Sequence, residues 1–383
     1  MIPAGALLVA GGYGVVGGQA ARLLRERHPD LPLVLAGRRP QRARRLAREL
    51  DAATVAIDVR SESPLASLAG RPAAVLATVS DPGDRLLVDA MRRGIPIADI
   101  NRGGQAAVLD VAVRAAHARP AAPVLLAGSW LSGLTALTAT AAAREVGRAE
   151  RIEVTVLVSS RDRIGPDAWG FGKRLAWPFH PMADGRRRTV HPLTGVRRVR
   201  CPDGRERPAA RIGTLEQITL PITLEVPTVE TRIASHDPPA LWGLIALKRT
   251  GVLNGLERWG AGRVREALLS RSGPGDFAGL TVTAHGGGRS ATIEALDVMG
   301  QGHLNAVGAT LAAERVLGLA GMQLSPGISF PEQHARPEAD LAALRQAGVV
   351  VRGAEPRRAV PQSVEPVRGQ RPALEPVEED LAV

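Results

Sequence analysis

The chain has 383 residues, 45% of them apolar, enough for two domains with buried cores, and a formal net charge of +11. Nearly all the positive charge is arginine (the lysines are Lys173 and Lys248) and only 3% of residues are aromatic. With little to stack on bases and no RRM-type or zinc-finger signature, nucleic acid is excluded as a partner, and no stretch is long and apolar enough to span a bilayer.

In chain order, Leu7-Leu8-Val9-Ala10 reads as a short buried strand that breaks into Gly11-Gly12-Tyr13-Gly14-Val15-Val16-Gly17 and then opens an amphipathic helix. The G-x-G-x-x-G spacing alone is a weak signal in a chain with 42 glycines. Its position between strand and helix makes it a dinucleotide fingerprint. The first glycine permits the turn, the second lets backbone approach a pyrophosphate, and the third lets helix and strand pack closely. Gly12, Tyr13, Gly14, Val15, Val16 and Gly17 are therefore the expected phosphate-side residues. The competing reading is a glycine-rich turn without a ligand.

The next strand, Leu33-Val34-Leu35-Ala36, ends at Gly37-Arg38-Arg39, about twenty residues beyond Gly17. An acidic residue here would bond the ribose 2′-hydroxyl of NAD. Two guanidinium groups instead suit a 2′-phosphate, so Arg38 and Arg39 predict NADP. The alternative is that they only begin the basic helix Arg42 to Arg48.

Strands follow at Thr54–Ile57, Ala73–Ala77, Ile95–Ala98 and Pro123–Ala127, with helical patterns at Ala43–Leu50, Asp84–Arg93 and Gln105–Arg119. A dinucleotide lies along the carboxyl edge of such a sheet. That edge puts Asp58 and Val59 beside the adenine, and Thr78, Val79 and Ser80 on the ribose and nicotinamide side. Asp58 fits equally well as a cap for the helix after it.

From Ser129 the pattern changes. A helix is expected over Leu134–Val146, then strands at Ile152–Val158, Thr189–Val199, Gln217–Val226 and Leu280–Leu296, with a hairpin turn at Pro202-Asp203-Gly204. Ala306–Leu319 reads as a helix returning to the first domain. The fold class is therefore α/β: a doubly wound parallel sheet (Rossmann) with an inserted α+β second domain. The expected divisions are 1–128 for the dinucleotide domain, 129–304 for a substrate or dimerisation domain, 305–352 for the return segment, and a disordered Pro-, Glu- and Arg-rich tail at 353–383.

These residues resemble the saccharopine dehydrogenase family in its bacterial NADP-binding oxidoreductase branch. The likeness rests on the Gly11–Gly17 loop, on Ala36-Gly37-Arg38, on Ala56-Ile57-Asp58 and on Gly94-Ile95-Pro96-Ile97-Ala98-Asp99. Gly327-Ile328-Ser329-Phe330-Pro331-Glu332, followed by Leu344 and Gly348-Val349-Val350-Val351, is similar to the family's C-terminal signature. The resemblance implies a cleft between two domains and hydride transfer with NADP(H), often onto an imine; some relatives act on lipid or polyketide intermediates. The chain departs from the pattern at Thr78-Val79-Ser80-Asp81-Pro82-Gly83, where the family commonly has a Gly-Pro turn. No second-domain motif carries over the family's amino-acid substrate residues.

The residues narrow the chemistry further. The single tyrosine, Tyr13, is followed four residues later by Gly17, so no Tyr-x-x-x-Lys pair exists. The eight histidines show no i, i+4 metal spacing, and no metal is expected. Cys201, flanked by arginines, reads as structural in preference to nucleophilic, and one cysteine excludes an intrachain disulfide framework. With no signal peptide in the N-terminal residues, a cytoplasmic location is expected. His180 and Asp162 are the expected proton-transfer residues, with His236 as a further candidate. His180 closes Trp169–Phe179, where four of the ten aromatics lie; the segment reads as a lid over the hydride site or as a homodimer contact. Leu241–Leu247, continuing through Val252, Leu253, Leu256 and Trp259, reads as core packing, or as the lining of a pocket for a hydrophobic small-molecule substrate. The leading expectation is an NADPH-dependent reductase of an imine, carbonyl or activated C=C of a biosynthetic intermediate. The alternative is a non-catalytic NADP(H)-binding sensor or scaffold.

Overall fold

The structure, a computed structural model, describes residues 2–102, 104–162, 175, 177–251, 277–319, 321–353 and 357–358, without the side chains of 105–107. Most of the expected aromatic lid, the continuation of the Leu241–Leu247 helix beyond 251, and all but a few residues of the tail fall outside them.

The first unit is a parallel sheet built from β1 (Leu7–Ala10), β2 (Leu33–Gly37), β3 (Ala53–Ala56), β4 (Ala74–Ala77), β5 (Ile97–Asp99) and β6 (Pro123–Leu126), in the order β6-β5-β4-β1-β2-β3. Strands β1 and β4 are buried at every position, as helices on both faces require of a parallel sheet, and this is why their sequences are unbroken apolar runs. The register is fixed by Leu7 opposite Leu33 on one side and Ala74 on the other. Between the strands run α1 (Val15–Arg27), α2 (Arg44–Glu49), α3 (Arg85–Arg92) and α4 (Gln105–Ala118). Helix α1 turns Ala20, Ala21 and Leu24 to the sheet and carries Arg25 and Arg27 in its last turn, where cations complement the helix dipole.

The second unit starts with α5 (Leu134–Val146), whose small, apolar residues are buried almost all round. It lies on a mixed sheet of β7 (Arg151–Val158), β10 (Arg197–Arg200), β11 (Glu206–Arg211), β12 (Thr228–Ser235), β13 (Ala278–Gly286) and β14 (Arg289–Asp297). Met182–Ala183 (β8) and Arg186–Arg187 (β9) form a separate two-stranded ribbon. Ile152, Val154 and Val156 alternate inward from β7 toward α5, forming one core with Leu134, Leu137 and Val282. Gly287 and Gly288, with φ of +57° and +70°, make the two-residue turn of the β13–β14 hairpin. Pro202-Asp203-Gly204 is the turn between β10 and β11, with Gly204 at φ +82°.

Three expected strands change, the first being Leu280–Leu296, which is split into β13 and β14 by the turn at Gly287-Gly288. Gln217–Val226 is not a strand: Glu216–Thr223 is a helix, α6. Its alternating Ile218, Leu220 and Ile222 mimic a strand period. The helix instead buries Glu216, Gln217, Thr219 and Leu220 and leaves Ile222 70% exposed, so tertiary satisfaction of polar groups overrides the apolar alternation. Of Thr189–Val199, only its last residues enter β10, at the end of the sheet path.

The remaining elements knit the two units together. Helix α7 (Pro238–Arg249) follows β12, and α8 (Gln301–Leu317) packs along α1 and beneath β4 to β6. Gly308 makes that docking possible, since a Cβ there would lie 2.5 Å from Leu131 O and 2.6 Å from Ser132 O. Strand β15 (Gly327–Ser329) then adds to β6 as the seventh parallel strand of the first sheet. Helix α9 (Pro337–Gln346) covers α5, and β16 (Val350–Gly353) pairs with β14, followed by β17 (Arg357–Arg358). Segment 305–352 thus feeds both sheets. Among the described residues, no helix is long and apolar enough to cross a membrane.

Candidate functional site

The carboxyl ends of β1, β2, β4, β5 and β6 converge on one edge of the first sheet. At β1 the chain turns through Gly11, φ +83°, and enters α1 with Gly14 as an extended N-cap that has no side-chain cap. The three fingerprint glycines are constrained differently. A Cβ on Gly12 would lie 2.9 Å from Val9 O, and one on Gly17 would lie 2.4 Å from Gly11 O and 2.5 Å from Thr78 Oγ1. A Cβ on Gly14 meets only Gly11 O, at 3.1 Å. Gly12 and Gly17 therefore serve the turn and its packing, while Gly14 presents bare backbone to open space. No acidic residue stands in the first turn of α1. Uncapped N–H groups, a helix dipole and no competing carboxylate together form an anion cradle. Val15 and Val16 supply its next amides.

Tyr13 crosses from this loop to the end of β2. Its hydroxyl accepts the amide of Arg39 at 3.0 Å, and its ring lies so close over Gly37 that a Cβ there would sit 2.5 Å from the phenol oxygen. Arg38 and Arg39 are exposed, and neither forms an ion pair among the described residues. Beside them a cavity of about 640 Å³ opens between α1 and α2, lined by Tyr13, Gly14, Val15, Arg42 and Arg45, among others. Arg22 on its wall is engaged by Glu49 through two contacts of 2.6 and 3.0 Å. The basic segment after Arg39 thus contributes Arg42 and Arg45 to the cavity wall, whereas Arg38 and Arg39 do not line it.

Further along the edge, Asp58 accepts the amide of Arg60 at 3.0 Å, a turn-capping bond, at the exposed end of β3 beside Val59. Thr78 donates its hydroxyl to Ala10 O at 2.8 Å, which clasps β4 to β1 directly behind Gly17. Ser80 is exposed two residues on. Asn101 donates to Ala77 O and Val79 O at 3.1 and 2.9 Å and so holds the β4 loop. Beneath it a buried Arg102 bonds Asp99 at 2.7 Å, Asp81 at 3.3 Å, and Asp84. Burial alone would lower the Arg102 pKa, but the three carboxylates outweigh it and hold the guanidinium above its ordinary value. The anchor fixes the loops after β4 and β5 to each other.

At the end of β6, Leu131, Ser132 and Gly133 take left-handed φ of 57°, 54° and 95° in succession. For a leucine this is a costly conformation that its surroundings must enforce. Ser132 donates to Asn305 Oδ1 at 2.9 Å, and Trp130 N–H donates to the buried Glu216 at 3.4 Å. Ser129 Oγ is buried here without a hydrogen-bond partner.

The expected proton-transfer residues are far less concentrated than the phosphate-side ones. Asp162 is buried after β7, accepts the amide of Gln301 at 2.6 Å, and lines a second cavity of about 710 Å³ between α1 and the start of α8. His180 is exposed before β8, near Thr189 Oγ1 at 3.4 Å, and lines neither cavity. His236 stacks edge-on against Phe277, with centroids 4.5 Å apart. Cys201 is fully buried, and burial raises its thiol pKa in spite of Arg207, so it is held as the unreactive thiol. Among the described residues no group of three or more His, Cys, Asp or Glu is placed to hold a metal ion. Sequence reasoning missed His303, which lines the second cavity paired with Asp297; a single His six residues after an Asp carries no motif.

No family model and no curated protein matches this chain. Among solved structures, it is similar to apo saccharopine dehydrogenase (L-Glu forming) from Saccharomyces cerevisiae, with a TM-score of 0.61 and 13% identity over 91% of this chain and 99% of that one. Lower-scoring likenesses include GenD2 from gentamicin A biosynthesis in complex with NAD (TM-score 0.44, 10% identity, 91% of this chain and 93% of that one). Another is a myo-inositol dehydrogenase from Corynebacterium glutamicum (TM-score 0.42, 13% identity, 90% and 94%). At these identities the likeness establishes the Rossmann architecture with a second mixed-sheet domain.

Proposed function

We propose that this protein is an NADPH-dependent oxidoreductase that reduces an imine, carbonyl or activated C=C of a small molecule. The observation that carries the reading is the cradle at Gly11–Gly17 with an arginine-rich, acid-free end of β2 beside it. Gly14, Val15 and Val16 would give the pyrophosphate its backbone donors. Arg38 and Arg39, with Arg42 and Arg45 on the wall of the neighbouring cavity, would take the 2′-phosphate, a dianion that a guanidinium fork matches well. Tyr13, held over Gly37, would shape the adenosine side together with Asp58 and Val59. Thr78 and Ser80, on a loop fixed by Asn101 and Arg102, would flank the ribose of the nicotinamide.

The reduced nicotinamide supplies the hydride when bound. What the chain must add is orientation, exclusion of water and a proton at the reduced atom. In this reading residues 1–128 would form the dinucleotide unit and 129–304 the substrate unit, a division that the two separate sheets support. Of the two acids expected from sequence, Asp162 has the support of a cavity. The claim of His180 rests on the expected lid at Trp169–Phe179, most of which lies outside the described residues. The likeness to a saccharopine dehydrogenase raises the weight of C=N reduction without naming a substrate.

Calorimetric titration tests the cofactor first. NADPH is expected to bind at least about tenfold tighter than NADH, with Arg38→Asp erasing most of the gap by repelling the phosphate. Equal affinities in the wild type would overturn the NADP assignment. Loss of NADPH absorbance is then followed with cyclic imines, oxo acids with and without primary amines, ketones and enones. Binding without turnover across that panel would favour a redox sensor over an enzyme.

A further inference from the structure

The second cavity holds a group that the reading above leaves unused. Between β14 and α8 the chain turns through Gly300, φ +88°, and folds His303 back toward Asp297. His303 Nδ1 lies 2.6 Å from Asp297 Oδ2, and both side chains are buried. The other carboxylate oxygen, Oδ1, accepts the amide of Met299 at 2.8 Å, so the carboxylate is fixed at both ends. A carboxylate can only accept, so Nδ1 carries the hydrogen and the opposite nitrogen, Nε2, is left to act. No described residue bonds Nε2, and His303 lines the cavity of about 710 Å³.

The surroundings tie this pair to the candidate site. Gln19 lines both cavities, and its Oε1 is buried without a hydrogen-bond partner among the described residues. It lies only five residues past Gly14 on α1, about 7 Å along the helix. On α8, two residues beyond His303, Asn305 receives the hydroxyl of Ser132 from the left-handed turn at the end of β6. Asp162 accepts the amide of Gln301, which fastens the first turn of α8 to the end of β7. His303 therefore stands on a rigid turn braced between the phosphate-binding helix, the nicotinamide-side end of the first sheet and the second domain.

We propose that His303, oriented by Asp297, exchanges the substrate proton; this rests on the oxidoreductase reading. In the reducing direction, hydride from NADPH adds to the carbon of C=N or C=O, and the π pair moves to the nitrogen or oxygen. The Nε2–H of the imidazolium gives that atom its proton, leaving neutral imidazole and oxidised cofactor. Asp297 keeps the Nδ1 hydrogen bond throughout and holds the ring in place. Water reaching the cavity restores the proton.

The test uses the full-length protein. In ¹⁵N-histidine-labelled protein, two-bond proton–nitrogen spectra are expected to show His303 as the Nδ1–H tautomer, and Asp297→Asn to lose that preference. With the panel compound that wild type reduces, His303→Gln is expected to lower kcat by about 100-fold or more while NADPH affinity stays within about twofold. In His303→Ala, added imidazole is expected to restore turnover by about tenfold, a rescue that a merely structural histidine would not give. If a panel compound is reduced and His303→Gln turns it over within about threefold of wild type, the proposal falls and the oxidoreductase reading stands. If nothing on the panel consumes NADPH, that reading fails. If the spectra then show His303 as the Nε2–H tautomer, the dyad is refuted independently.

Discussion

The two glycines at the ends of the cradle separate binding from folding, and a pair of substitutions makes the separation measurable. Gly17→Ala puts a methyl group 2.4 Å from Gly11 O and 2.5 Å from Thr78 Oγ1. The first neighbour is backbone and cannot rotate away; the second is engaged with Ala10 O. Overpacking costs about 1–3 kcal/mol, a lost hydrogen bond adds about 1, and the helix propensity of alanine returns about 1. The net is a loss of about 1–3 kcal/mol, or about 2–12 °C in the Tm of a domain of this size. Gly14→Val places its Cβ no closer than 3.1 Å to anything, at φ −78° and ψ 179°, where any residue fits. Its stability cost stays below about 1 kcal/mol, but the side chain fills the space a pyrophosphate needs. Thermal unfolding with and without NADPH reads both. At 100 times Kd the wild type gains about 2.7 kcal/mol, a shift of about 5–11 °C. Gly14→Val should unfold near the wild-type temperature and show no shift; Gly17→Ala should unfold early. A folded Gly14→Val that keeps the full NADPH shift would refute the cradle, and a Gly17→Ala as stable as wild type would refute the packing argument.

Three further outcomes concern two carboxylates and the docking of α8. Burial would raise Glu153, but bonds from His285 and Arg197 and the charge of Arg151 outweigh it and hold its carboxyl well below the ordinary range. Its contribution is present above about pH 4.3 and lost as pH falls through the depressed value. Glu153→Gln should therefore cost about 1–3 kcal/mol in neutral urea denaturation, with the deficit shrinking below about pH 4. Burial, with Glu216 nearby, raises Glu332, so the sign reverses: its favourable term holds below about pH 4.3 and fades as pH rises through the raised value. Glu332→Gln should gain stability on wild type as pH increases, and a constant difference across pH would contradict the assignment. Gly308→Ala should destabilise by about 1–3 kcal/mol, because both atoms its methyl meets are backbone carbonyls; an unchanged denaturation midpoint would mean that α8 does not dock as described.

The first sheet was legible because each of its signals is local. Unbroken apolar runs at Leu7–Ala10 and Leu33–Ala36, a glycine turn and regular spacing suffice for a parallel sheet buried on both faces. The boundaries of α5 were equally plain, since its run of Leu, Thr and Ala is closed by Arg144, Glu145 and Gly147. Gln217–Val226 misled because its alternation was real while the deciding interactions were remote: Trp130 N–H and Thr231 Oγ1 reach Glu216 from distant elements. The turn at Gly11–Gly17 between β1 and α1 could be placed in advance because it is one continuous segment. His303 could not, since its meaning comes from a left-handed Gly300, from Asp297 at the end of a strand, and from a cavity wall supplied by α1.

The seventh strand bears on how the protein is made. Gly327–Ser329 completes the sheet beside Pro123–Leu126, yet it leaves the ribosome roughly 200 residues later, about 10–40 s at ordinary elongation rates. Until then the nascent first domain has an open parallel edge at β6 and lacks α8, whose Ala306, Ala309 and Ala313 close its core. The first unit, though first in the sequence, is thus among the last parts to be finished, and a chain stopped before residue 329 would present that apolar edge to its neighbours.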